Sequence, residues 1–180
     1  MLYSYDECIK KYGNPYQIEK MLIDEQIYKI ERGIYSDKRV VSELDVIVFK
    51  YPKAVFTMDS AFYYHSLTDV IPEKYYLATD KDATKIPNTK VKQFFHRKKQ
   101  FDVGIINMEH QNTTIQIYNK ERMLIELIRN KNNMPFDYYK EIIESYRKII
   151  DSMDIEKLQD YIEKFPKQDY IMKVIQLEVL

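Results

Sequence analysis

The sequence predicts an α+β fold: a small N-terminal head of two helices and a β-hairpin, then a mixed α/β body with C-terminal helices. Three observations carry this. Residues 4–36 read helix, glycine turn, helix, strand, turn at Gly33, strand. Residues 54–118 set short β-branched and aromatic runs between turns, around one helical stripe. From Asn119 onward apolar residues recur at helical spacing almost without a break. The expected domains are 1–38 for the head and 39–180 for the body.

Composition bounds the function. Hydrophobic residues make up 45% and charged residues 31%, enough for a core and a polar surface, and the formal net charge is zero. A wholly basic nucleic-acid-binding protein is thereby excluded, although a local patch is not. Cys8 is the single cysteine, so no internal disulfide forms and a reducing compartment is expected. No basic-apolar leader opens the chain, and no apolar run approaches the roughly 20 residues that span a bilayer. The expected location is the cytoplasm, with no membrane partner.

In the head, Ser4 and Glu7 have capping-box spacing and start a short helix that ends at Gly13. Asn14 then caps a second helix, with Pro15 at its first position and Ile18, Met21 and Leu22 on one face. A strand from Gln26 to Glu31, a turn at Gly33 and a second strand at Ile34-Tyr35 follow. This is the order of a winged helix-turn-helix. Residues 1–36 carry five basic and six acidic side chains, a balance of −1.

The body opens with a helical stripe of Val41, Leu44, Ile47, Val48 and Tyr51. Its centre is AVFTMDSAFYYHSLTDVIP, residues 54–72: a buried strand, a helix capped by Thr57, and a stop near Asp69 imposed by Pro72. His65 falls on the apolar stripe with Met58, Ala61 and Phe62, where a histidine hydrogen-bonded at a core edge is the simplest reading. Tyr75–Ala78 forms a further strand.

Lys81 to Lys99 is the one strongly polarised region, with seven basic side chains against one acid, a balance of +6. Its patch of Lys90, Lys92, Arg97, Lys98 and Lys99 has two readings. One is a lysine-protected sheet edge. The other is a contact for nucleic acid or an acidic protein, with Phe94 and Phe95 available to stack on bases. Residues 101–118 read as two strands around a His110-Gln111-Asn112 turn. Three helices and a fourth after Pro166 complete the chain, their stripes including Met123, Leu124, Leu127, Ile128, Tyr139, Ile142, Tyr146 and Leu158.

Catalytic signals are missing. Gly13, Gly33 and Gly104 are the only glycines, and none belongs to a phosphate loop or dinucleotide fingerprint. No Gly-x-Ser-x-Gly elbow occurs, and three scattered histidines with one cysteine give no metal-ligand spacing. Catalytic residues, metal and cofactor are therefore all expected to be none, and the chain is not read as an enzyme.

Three segments, in order, resemble a known family. IEKMLIDEQIYKIERGIYSD is similar to the recognition helix and wing of AbiEi-type antitoxins of type IV toxin-antitoxin (abortive infection) systems. KYPKAVFTMDSAFYYHSLTDVIPEKYYLAT resembles the family's central stretch, and IQIYNKERMLIELIRN its Glu-Arg-bearing strand-to-helix junction. Family members carry a further helix before the one beginning near Ser4, so the resemblance implies a shortened head. It also implies an antitoxin that opposes a cognate nucleotidyltransferase toxin and represses its own operon, with operator DNA as second partner. Asn14, Tyr16, Gln17 and Lys20 would then face the major groove, and Lys29 and Arg32 of the wing would meet phosphates. Two alternatives stand beside it. One is a protein-interaction module whose degenerate winged helix does not bind DNA, and the other is a nucleic-acid-acting enzyme.

Overall fold

The computed structural model describes residues 1–180 and is an α+β fold with two sheets. The chain divides into two compact units, Met1–Pro52 and Lys53–Leu180.

The first unit runs β1 (Leu2–Ser4), α1 (Tyr5–Tyr12), α2 (Pro15–Ile23), β2 (Tyr28–Glu31), β3 (Ile34–Ser36) and α3 (Glu43–Lys50). The capping box forms as its spacing predicts: Glu7 N–H donates to Ser4 Oγ at 3.3 Å, and Ser4 N–H to Glu7 Oε2 at 2.7 Å. Gly13, at φ 97°, makes the turn, and Gln17 N–H donates to Asn14 Oδ1 at 2.9 Å to start α2. Cys8, Ile18, Ile27 and Tyr35 form the buried core, so Cys8 is a packed thiol, and burial raises its pKa.

Two features depart from the sequence reading. Leu2–Ser4 form β1, which pairs antiparallel with β3 and makes a three-stranded sheet in the order β1-β3-β2. The boundary expected at 38/39 also moves to 52/53. Helix α3 packs against β1, and Lys50 pairs with Glu31 Oε1 at 2.7 Å, so it belongs with the head.

The second unit contains β4 (Val55–Phe56), α4 (Met58–Tyr64), β5 (Tyr75–Asp80), β6 (Val91–His96), α5 (Lys98–Phe101), β7 (Ile105–His110) and β8 (Thr113–Tyr118). The helices α6 (Lys120–Arg129), α7 (Phe136–Ile149), α8 (Ile155–Ile162) and α9 (Gln168–Glu178) follow. The five-stranded sheet has the order β6-β5-β4-β8-β7, with β4/β8 and β5/β6 parallel and the other pairs antiparallel. The stripes of α6 and α7 are buried as their periodicity requires.

Helix α4 stops at Tyr64, not near Asp69. Ser66 takes a left-handed φ of 57°, its N–H donates to Tyr63 O at 2.9 Å, and Leu67 N–H donates to Phe62 O at 2.9 Å. This Schellman closure ends the helix before Pro72 can act. Thr57 occupies the N-cap but makes no capping bond, since its buried hydroxyl faces Met123 Sδ at 3.8 Å. His110 closes β7 with its ring 4.5 Å from that of Tyr64, and the turn is Gln111-Asn112 alone, both at positive φ. No helix is long and apolar enough to cross a membrane.

Candidate nucleic-acid interface

In the first unit, Ile18, Met21 and Leu22 turn α2 onto the core, which fixes what its opposite face presents. Tyr16, Lys20 and Ile23, spaced i, i+4, i+7, form that outer row, with Tyr16 72% and Ile23 75% exposed. Gln17 lies exposed at its flank. Asn14 is exposed too; its Oδ1 accepts the cap bond, and its amide Nδ2 hydrogens face no partner in the chain. Lys29 and Arg32 are exposed on and beside the β2–β3 hairpin, Arg32 next to the Gly33 turn at φ 79°. All six residues singled out from sequence are thus on the surface, four with α2 and two with the hairpin.

The surrounding cations differ in availability. Lys11 donates to Tyr3 Oη at 3.1 Å and lies 4.4 Å from that ring's centroid, while Lys50 is held by Glu31. Lys10, Lys20, Lys29, Arg32, Lys38 and Arg39 are exposed and form no ion pair in the chain. Lys38 and Arg39, directly after β3, are not among the residues singled out from sequence. The adjacent basic pair in the sequence is the signal that would have found them. The first unit still holds eight basic and nine acidic side chains, a balance of −1.

In the second unit the basic patch lies along β6, an edge strand paired only with β5, and continues into α5. Lys90, Lys92, Arg97, Lys98 and Lys99 are all exposed. Lys92 Nζ lies 4.9 Å from the Tyr76 ring centroid and 5.7 Å from that of Phe94, and those two rings stack at 5.9 Å. Phe94 is half-buried and Phe95 is 49% exposed.

Behind α5 sits a polar cluster that the sequence reading missed. Arg122 is fully buried and donates through Nε and Nη2 to Glu126 Oε1 at 3.1 and 2.7 Å. Its Nη1 donates to Gln100 O and, at 3.2 Å, to Val103 O. The guanidinium lies between the rings of Tyr118 and Phe165, at 4.3 and 4.4 Å. Arg129 donates to both Glu126 oxygens, at 2.9 and 3.1 Å. Burial alone would raise the Glu126 pKa; Arg122 and Arg129, with His96, outweigh it and hold the carboxyl below its usual range. Arg122 escapes notice in sequence because a helical arginine beside acids normally reads as solvated.

His65 donates its Nε2–H to Tyr118 O at 2.7 Å, and burial lowers its pKa. It borders an open polar cleft of about 600 Å³, where Lys120 and Lys148 are mixed with Glu141 and Glu144, leaving no single sign of charge. No three His, Cys, Asp or Glu side chains gather as a metal site would require. The chain matches no protein-family model and no curated protein.

Proposed function

We propose that this chain is an AbiEi-like antitoxin and repressor, with a winged helix-turn-helix in the first unit that binds operator DNA. In this reading α2 enters the major groove with Tyr16, Gln17, Lys20 and the Asn14 amide, and Lys29 and Arg32 of the hairpin meet flanking phosphates. The second unit opposes a nucleotidyltransferase toxin in the cytoplasm, and no residue is assigned a catalytic role. The observation that carries the DNA-binding part is the joint exposure of all six residues on one helix and the adjoining hairpin. The order strand, helix, turn, helix, hairpin, with β1 paired to β3, supports the same motif.

The test is a mobility-shift titration with the DNA upstream of the chain's own reading frame. Replacing Lys20, Lys29 and Arg32 by Ala is expected to weaken binding at least tenfold. It should also flatten the salt dependence by about 0.9 in slope per lost phosphate contact. Unchanged affinity and slope would remove DNA binding from the proposal. Co-expression with a neighbouring nucleotidyltransferase then tests the antitoxin part separately, where continued toxicity refutes it.

A second reading keeps the fold and makes the head a protein-interaction module. Two observations favour it: the balance of −1 over residues 1–52 and the exposed apolar ends of the α2 row, Tyr16 and Ile23. It predicts no shift of upstream DNA at any salt concentration.

A further inference from the structure

We propose that the rim formed by β6 and α5 binds an unpaired nucleic-acid strand, with Arg97, Lys98 and Lys99 on its phosphates and Phe95 stacked on a base. This site lies wholly in the second unit and does not depend on the antitoxin reading. Between Ala83 and Phe101 the chain has six lysines and arginines and no Asp or Glu, so the rest of this neutral chain carries −6.

Protection of a sheet edge accounts for only part of this charge. A guarding lysine belongs on the edge strand itself. Lys92 is the one cation within β6, and it lies back over Tyr76 and Phe94. Arg97, Lys98 and Lys99 come after the strand has ended, where no unpaired edge remains to protect. None of the three forms an ion pair.

The segment bearing them is also held from inside. Buried Arg122 donates to the carbonyls of Gln100 and Val103, and Tyr118 Oη donates to Phe101 O at 2.9 Å. A solvated charge run needs no such anchoring. A binding turn benefits from it, because less side-chain and backbone freedom is lost when the ligand arrives.

Phe95 decides between ligands. Phe95 and Arg97 are both exposed and flank His96, whose ring faces Tyr118 at 6.1 Å. An exposed phenyl ring beside a row of cations suits the alternating base and phosphate of a single strand. An acidic protein surface would use the cations and leave the ring in water, and a duplex keeps its base faces stacked away from it.

The experiment is fluorescence anisotropy of a labelled oligothymidine with the full-length chain, between about 50 and 300 mM salt. Three phosphate contacts give a log–log slope near −2, at about −0.7 per contact on a single strand. The triple variant R97A/K98A/K99A should lose most of that slope. Phe95→Leu should weaken binding at least fivefold and leave the slope unchanged. The Lys20, Lys29 and Arg32 replacements of the first unit should leave oligothymidine affinity as it is. The single variant Arg97→Glu gives the same directional readout should the triple variant lose its native melting transition. Absence of binding at the lowest salt, wild-type affinity for Phe95→Leu, or an unaltered slope overturns the proposal. So does tighter binding of a duplex of equal length. Equal competition by polyglutamate would reassign the rim to an acidic protein.

Discussion

Arg122 is a cation without solvent exposure, placed between two rings and making four hydrogen bonds that reach α5, the loop after it and Glu126. Its geometry leaves no room nearby: a Cβ on Gly104 would meet Arg122 Cβ at 2.6 Å and Asn119 Oδ1 at 2.8 Å, and Gly104 also has φ 80°. A buried pair of this kind adds little over a well-packed apolar pair, but removing Arg122 leaves the buried Glu126 carboxylate with Arg129 as its one hydrogen-bonded cation. Arg122→Ala is therefore expected to lower unfolding stability by about 3–5 kcal/mol in urea titration. The double variant Arg122→Met, Glu126→Leu should lose clearly less, since it removes the buried carboxylate along with its buried partner. Equal losses for both variants would mean that packing, not charge, is what Arg122 supplies. The same residue shows what sequence conceals. Helical periodicity places Met123, Leu124, Leu127 and Ile128 inside, as found, but a code based on apolar spacing cannot mark an arginine for the interior.

At the scale of elements, what was legible depended on how local the cause was. The Ser4–Glu7 box, the Asn14 and Asn119 caps and the stripes of α6 and α7 are decided within a few residues, and all form. Strand β1 has no such local cause, because its partner β3 lies some thirty positions away and a three-residue strand carries no period of its own. The end of α4 was misplaced for a related reason. Pro72 is an obvious breaker, whereas Ser66 in a left-handed conformation is not a sequence signal. A non-glycine residue pays for that conformation. Ser66→Gly is thus expected to raise stability by up to about 1 kcal/mol, without altering the fold, because its side chain is exposed and the two Schellman bonds use only backbone. A thermal melt checks this, and a destabilised variant would show that the serine side chain makes a contribution beyond its backbone. All eleven polar, aromatic and basic residues named from sequence for the two candidate surfaces are exposed, which residue type alone suggests. What sequence could not give was the support behind the second surface, the Arg122 anchor under α5.

For the molecule as a whole, charge and burial set the response to pH. Formal charge is zero, so the acid response depends on groups whose pKa differs between folded and unfolded chains. Two of the three histidines are such groups. Burial lowers the pKa of His65 against the opposing bond to Tyr118 O, with Lys120 lowering it further and Glu121 raising it. Burial also lowers that of His96, where Glu126 pulls upward and Arg122 and Arg129 push down. For a base whose folded pKa is depressed, the unfolded chain takes up the proton first. The neutral-state stability is therefore complete above the ordinary value of 6.5 and is lost as pH falls below it toward the folded pKa values. Glu126, whose folded pKa is lowered from 4.5, adds its own loss only at more acid pH. Asp59, raised from 3.8 by burial, works in the opposite direction there. Melting temperature is accordingly expected to be level from pH 8 to 7 and to decline between pH 6.5 and 5.5. In the variant His65→Gln, His96→Gln the decline over that interval should largely vanish, since glutamine can still donate to Tyr118 O but does not titrate. A wild-type melting temperature that stays level to pH 5.5, or a decline that survives in the variant, would place the acid-sensitive groups elsewhere in the molecule.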